Sequence, residues 1–132
     1  MDLEILEIAS NTQNNKELKK HTHLSKLKNP ICGDEMQISV LIENHKIKDF
    51  GYQCKSCIYC QASVSILSRH SLNKSLKKIN SVIDIAINFF DKKDFFFPDD
   101  WSDFNKVFKK KNISRKECIL LPFKTLSKAL RS

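Results

Sequence analysis

MQISVLIENHKIKDFGY, residues 36–52, alternates between apolar and polar side chains. Met36, Ile38, Val40 and Ile42 fall on one face, with Gln37, Ser39 and Glu43 on the other, the period of two expected of a half-buried strand. Asn44-His45 supplies a tight turn, and Lys46 to Tyr52, with Ile47 and Phe50, returns as a second strand. A hairpin is therefore predicted. On its C-terminal side the period becomes helical. Over 57–70, Ala62, Ile66 and His70 share a face with Ser63 and Leu67 beside them. Over 73–93, Leu76, Ile79, Val82, Ile83, Ala86, Ile87 and Phe90 form an apolar stripe. Phe95-Phe96-Phe97-Pro98 ends that element, and Asp99-Asp100 opens a short amphipathic helix carrying Trp101, Phe104, Val107 and Phe108. A charged loop over 109–117 leads to Cys118, which opens a last helix with Leu121, Leu126, Ala129 and Leu130. On the N-terminal side, Leu3 and Leu6, with Ile5 and Ala9, predict a helix within 2–12, and the polar residues 10–30 read as a helix end and a loop. The order is a helix, a hairpin or small meander, then several helices. This is α+β, with helices packed on one face of a small antiparallel sheet, in one domain spanning 1–132.

Composition narrows the functional classes. A chain of 132 residues with 41% hydrophobic and 29% charged residues suits a globular protein with one core. No apolar run approaches the roughly 18 residues a membrane span needs. The acidic start, Met1-Asp2-Leu3-Glu4, is unlike a secretory signal, so a cytoplasmic protein is expected. A formal net charge of +8 would suit nucleic acid. The lysines are scattered, however (Lys19-Lys20, Lys77-Lys78, Lys92-Lys93, Lys109-Lys110-Lys111), and read as solvated faces and helix ends. Five cysteines is an odd number without an export signal, which favours reduced thiols used for metal or sulfur chemistry over a disulfide framework.

Thiolates select zinc and iron, and a carboxylate adds a more exchangeable oxygen donor. Cys32 and Asp34, two apart across Gly33, can face one ion if their turn is tight. Cys57 and Cys118, each at a predicted helix start, would complete a four-ligand site, and a helix N-terminus favours the thiolate form of both. A local alternative competes. Cys54, Cys57 and Cys60 form C-x-x-C-x-x-C, which resembles the cluster-binding runs of ferredoxins but lacks their fourth cysteine and trailing proline. Cys60 and Cys54 are auxiliaries to the first site in one reading and buried bystanders in another.

Three blocks carry a family resemblance. Asn29-Pro30-Ile31-Cys32-Gly33-Asp34 resembles the N-P-x-C-G-D signature of the NifU/IscU/SufU iron–sulfur cluster assembly scaffolds. Cys57-Ile58-Tyr59-Cys60-Gln61-Ala62-Ser63-Val64-Ser65 is similar to the family's second block, and Arg115-Lys116-Glu117-Cys118 to its third, R-x-x-C ahead of an amphipathic helix. The resemblance implies a three-stranded antiparallel sheet with helices on one side. It also implies a metal or cluster site of Cys32, Asp34, Cys57 and Cys118, with Asp34 keeping the cluster labile. Its implied partners are a cysteine desulfurase as sulfur donor and apo-proteins or carriers as recipients. The chain departs from IscU-like members, which place a histidine before the third cysteine and L-P-P-V-K ahead of it. Glu117 and Lys111-Asn112-Ile113-Ser114-Arg115 stand there instead, so an Hsc-type chaperone is not implied. The arrangement is more similar to the SufU branch. Cys54 and Ser56 replace glycines usual before the second cysteine, and Cys60 replaces a serine or glycine.

Two mechanisms follow from the resemblance. In one, Cys32 or Cys118 accepts sulfur from a desulfurase persulfide, and three thiolates and a carboxylate hold a [2Fe-2S] unit for delivery, the protein being a platform more than a catalyst. In the other, Zn2+ fixes the same residues and the protein acts as a sulfurtransferase. A basic zinc module on nucleic acid would use the same cysteines, but paired C-x-x-C knuckles and aromatic–basic interleaving are missing. His21 and His23 form H-x-H in a polar loop, His45 sits in a turn, and His70 ends a helix where it can satisfy terminal carbonyls. Trp101 and Phe95–Phe97 read as core or a docking patch, and Lys116 as an exposed lysine near Cys118.

Overall fold

The computed structural model describes residues 2–91 and 96–131. Its sheet is a meander of β1 (His23–Lys28), β2 (Glu35–Glu43) and β3 (Lys46–Lys55), antiparallel in the order β1-β2-β3. The predicted hairpin is β2–β3. Val40 pairs with Phe50, Ile38 with Tyr52 and Met36 with Cys54, so the alternation buries one apolar face. Asn44 (φ 54) and His45 (φ 62) both take the left-handed conformation required of a two-residue turn whose twist matches the strands. A register shift between Leu41 and Ile42 marks a bulge.

β1 lies where the sequence reading expected only loop. Within HLSKLK, Ser25 is buried opposite Ile38 while Leu24 is 45% exposed, so at these two positions burial is the inverse of what hydrophobicity signals. The strand follows from its pairing with β2, which the sequence period cannot report.

Helices α1 (Leu3–Ala9), α2 (Ile58–His70), α3 (Leu76–Asn88) and α4 (Lys116–Arg131) supply the other layer. Asp2 caps α1, accepting from the N–H groups of Glu4 and Ile5. The buried side of α1 is Ile5 and Ala9, whereas Leu3 and Leu6 are exposed, which corrects the predicted stripe. The helix expected over 73–93 starts at Leu76 behind the Ser75 cap and passes into a 3-10 turn over Phe89–Asp91; Lys92, Lys93 and Phe95 lie outside the described residues. The short amphipathic helix is 3-10 over Asp99–Lys106, and the expected charged loop contains another 3-10 turn, Lys110–Arg115, running directly into α4. Phe89, Phe90, Phe97, Phe104, Phe108 and Phe123, with Trp101, pack ring on ring, so Trp101 and Phe97 are core while Phe96 is exposed.

The segment after α1 seals the sheet. Tyr52 N–H donates to the Asn14 carbonyl along the free edge of β3, and Leu18 N–H donates to Ser39 Oγ across the face opposite the helices. A Cβ at Gly51 would run into the Lys16 carbonyl oxygen and the Leu18 side chain, so glycine is what permits this close crossing. Among the described residues no helix is long and apolar enough to cross a membrane.

Candidate functional site

The β1–β2 connection carries Cys32 and Asp34. Asn29 closes it: its N–H donates to the Asp34 carbonyl at 2.8 Å, its carbonyl accepts from Gly33 N–H at 2.8 Å, and its Oδ1 accepts from Ile31 N–H at 2.9 Å. Gly33 takes φ 78, a left-handed conformation that a side chain would strain. The chain therefore reverses between Cys32 and Asp34, leaving Cys32 exposed and Asp34 buried.

β3 runs on into α2, and Cys57 is the N-cap of that helix, its N–H pointing to Asp34 Oδ2 at 3.5 Å. Cys118 does not open α4 but lies within its first turn, which starts at Lys116. Ser63 Oγ donates to the Ile119 carbonyl at 2.7 Å and so ties α2 to α4 one residue beyond Cys118. The Cys118 and Cys32 sulfurs are 3.6 Å apart. One donor atom from each of Cys32, Asp34 and Cys118 lies within 4.8 Å of the others; the Cys57 sulfur is not part of that group, though the Cys57 N–H points to Asp34. Two segments remote in sequence thus bring two sulfurs and a carboxylate to one place, beside the helix that Cys57 caps.

The dimensions suit a small cation. With metal–sulfur bonds of about 2.3 Å, tetrahedral thiolates stand about 3.8 Å apart. The Cys32–Cys118 separation is already close to that. The donor set, soft sulfur with one hard oxygen, is one that zinc and iron accept.

Helix position does not make Cys118 a thiolate. Burial, followed by hydrogen bonds to Cys57, Asp34 and Cys32, pushes its pKa well above the ordinary thiol range. The expected helix effect is outweighed because Cys118 is shut away from water and its S–H donates to the Cys32 sulfur. A cation entering here displaces that proton.

Cys54 and Cys60 lie behind this group. Burial raises the pKa of both thiols, Cys60 being fully enclosed. Among the described residues the three-member donor cluster contains no histidine. His21 is exposed, His23 opens β1 with Nδ1 2.8 Å from Thr22 Oγ1, and His45 is in the exposed β2–β3 turn. His70 does not serve the helix end, since its Nε2 meets Asp103 Oδ2 at 2.7 Å. That hydrogen bond above all holds the Asp103 carboxyl below the usual carboxylate range. Lys116 is half-buried at the start of α4. Asn29 before Pro30 is a turn signal, so the turn that Asn29 closes ahead of Cys32 is legible in the sequence; nothing local flags Ser63 as the tie between α2 and α4.

The family model of the NifU-like N terminal domain matches residues 2–91. The chain belongs to that family. It is 27% identical over 131 residues to the iron–sulfur cluster assembly scaffold protein IscU of Thermotoga maritima, covering 96% of this chain and 89% of that protein. It is also 28% identical over 102 residues to an uncharacterized protein of Borreliella burgdorferi, covering 76% and 70% of the two. Among solved structures, a NifU-like protein (N-terminal) from Brucella abortus superposes with a TM-score of 0.88 at 21% identity, covering 98% and 91% of the two chains. A protein described as a candidate iron–sulfur cluster assembly scaffold for the SUF system, from Fervidobacterium islandicum AW-1, gives 0.90 at 24%, covering 98% and 96%. The three-stranded sheet with its helical layer is the fold of these NifU-like proteins. The NifU-like match contains Cys32, Asp34, Cys54, Cys57 and Cys60 and ends before Cys118.

Proposed function

We propose that this protein is an assembly scaffold that holds iron and sulfide, as a nascent [2Fe-2S] cluster, on Cys32, Asp34, Cys57 and Cys118, and passes it to apo-proteins or carriers. The observation that carries this is the meeting of Cys32, Asp34 and Cys118, with the Cys32 and Cys118 sulfurs at 3.6 Å and the Cys57 N–H pointing to Asp34, in a chain of the NifU-like family. The cluster is cargo. Cys32 is the exposed thiol and stands at the opening, where the persulfide of a cysteine desulfurase can reach it. Its thiolate attacks the outer sulfur of that persulfide, and Cys118, in contact with it, is next to receive the sulfur. Asp34 is fixed by its loop and supplies the hard donor, the position from which a recipient's thiol most readily displaces the protein.

A second reading, a zinc-bound sulfurtransferase of the SufU kind, is favoured by one feature. Glu117 stands where IscU-like members carry a histidine, so the donor set is three thiols and one carboxylate, which suits a single Zn2+ with Cys32 exchanging off to take sulfur. Anaerobic purification followed by metal and acid-labile sulfide analysis separates the two. Iron with sulfide supports the scaffold, and one zinc per chain with rapid sulfur uptake from a desulfurase supports the sulfurtransferase. A protein without either, after reconstitution with both, would overturn both readings.

A further inference from the structure

The two edges of the sheet are finished differently. Along β3 the chain closes its own edge: Asn15 bridges to Tyr52 and Ser75 to Lys46, and Asn73 N–H donates to the Ile47 carbonyl at 2.7 Å. Among the described residues both isolated bridges lie on that side, and β1 pairs only with β2. The phase of β1 follows from its last residues. Asn29 N–H donates to the Asp34 carbonyl, one register step beyond the Lys28–Glu35 pair. The alternation of an antiparallel ladder then turns the peptide groups of Leu27 and Ser25 toward β2, and those of Lys28, Lys26 and Leu24 outward. The Lys26 carbonyl agrees with this, since it meets Lys128 Nζ at 3.2 Å. Three outward N–H and C=O sets therefore stand along an open edge, about 7 Å from one to the next.

The side chains of the same three residues decide what can lie there. Ser25 and Leu27 share the helix-covered face with Met36 and Ile38, so Leu24, Lys26 and Lys28 fall on the opposite face, where all three are exposed. Neither lysine takes part in an ion pair among the described residues. A second copy of β1, laid antiparallel so that all three peptide sets pair, would bring Lys26 directly opposite Lys26. Like charges across a strand pair are unfavourable, and the net charge of +8 on each chain adds to the repulsion. The lysines thus guard the edge against the chain itself and leave it open to a strand of opposite charge.

We propose that the open edge of β1 docks an extended acidic segment of a partner protein, added as a fourth, antiparallel strand. Opposite Lys28, Lys26 and Leu24 that segment reads, from its N-terminal side, acid-x-acid-x-apolar. Its main chain completes the ladder and supplies affinity, while its two carboxylates meet the lysines and fix partner, direction and register. Lys128 yields the Lys26 carbonyl to the incoming N–H and, on its long side chain, stays beside the added strand as a third cation. β1 runs directly into the Asn29 turn, so the N-terminal end of the docked strand lies beside the loop that carries Cys32. The docking stands on the strand edge alone; only its use in delivery rests on the scaffold reading.

The test adds the peptide acetyl-Ser-Thr-Glu-Thr-Glu-Thr-Leu-Thr-Ser-amide to the full, isotope-labelled chain, reduced and metal-free, and reads amide chemical shifts and hydrogen exchange by nuclear magnetic resonance. Saturable shifts centred on residues 23–28 are expected, with slowed exchange at the Leu24, Lys26 and Lys28 amides. N-methylation of the two glutamates and the leucine, whose N–H groups face β1, weakens binding at least about tenfold, whereas N-methylation of the threonines between them, whose N–H groups face away, does not. The double variant Lys26→Glu, Lys28→Glu loses binding to a similar degree, and a peptide with lysine in place of both glutamates binds that variant. Exchange at Ser25 and Leu27, which are bonded to β2, checks that the strand stays in the sheet. Binding indifferent to the position of methylation would mean a diffuse charge contact and would overturn the proposal. So would shifts centred elsewhere, no binding by wild type, or a dimer paired through β1 without peptide. None of these outcomes touches the scaffold reading, which metal and sulfide analysis decides separately.

Discussion

Cys118 in the metal-free fold keeps its proton, because burial and the hydrogen bond to the Cys32 sulfur raise its pKa above the free-thiol value. Metal binding needs the thiolate, so between about pH 7 and 9 the ion competes with that proton. Apparent affinity therefore rises with pH, Cys118 contributing a slope of about one decade per unit, and a proton appears in solution on binding. Zinc calorimetry in buffers of different ionisation enthalpy measures this, and a pH-independent affinity would contradict it. Asp34 acts in the opposite sense. Replacing it by alanine removes the hard, exchangeable donor, so a bound cluster should transfer to an apo-ferredoxin several-fold more slowly while the sulfurs still hold it, as followed by circular dichroism. Much at this scale was legible in advance. Cys32, Asp34, Cys57 and Cys118 stand in recognisable sequence blocks, and Gly33 between the first two does adopt the left-handed turn. The protonation of Cys118 was not legible, because it depends on Cys32, Asp34 and Cys57 closing around it, and none of them is its neighbour in sequence.

The β1–β2 loop, the β3–α2 junction and the first turn of α4 converge through a few buried contacts between elements. Ser63 is fully buried, and its hydroxyl is bonded to the carbonyl next after Cys118. Ser63→Ala should cost about 1 kcal/mol in urea unfolding and weaken metal binding, since α4 loses its tie to the helix that Cys57 caps. Stability and affinity both at wild-type values would show that the tie does not position Cys118. Gly51→Ala should cost about 2 kcal/mol without altering the metal site, because the new methyl displaces the Asn14–Leu18 segment from the sheet. Helix α3 and the β2–β3 hairpin could be read from hydrophobic period, being half-buried elements with one apolar side, whereas α2 is buried all round over 62–68. β1 and the 3-10 turns could not. His23–Lys28 is a strand because β2 offers it a partner, and Lys110–Arg115 winds into a turn while carrying no apolar stripe.

At the scale of the molecule, the sheet, its covering N-terminal segment and the helical layer hold the loop and helix ends that carry the thiols. Resemblance in three short blocks implied the three-stranded sheet, which hydrophobicity alone left as a hairpin or meander; the NifU-like fold settles it. In the proposed function one ion or cluster is bound by donors from three separate segments, not by the local C-x-x-C-x-x-C run. X-ray absorption spectroscopy of the zinc-loaded protein tests this most directly, comparing wild type with Cys32→Ser, Cys118→Ser and Cys60→Ser. About three sulfurs near 2.3 Å and one oxygen are expected in wild type and in Cys60→Ser, falling to two sulfurs in each of the other two variants. A sulfur shell unchanged by loss of Cys32 and Cys118 but diminished by loss of Cys60 would contradict it.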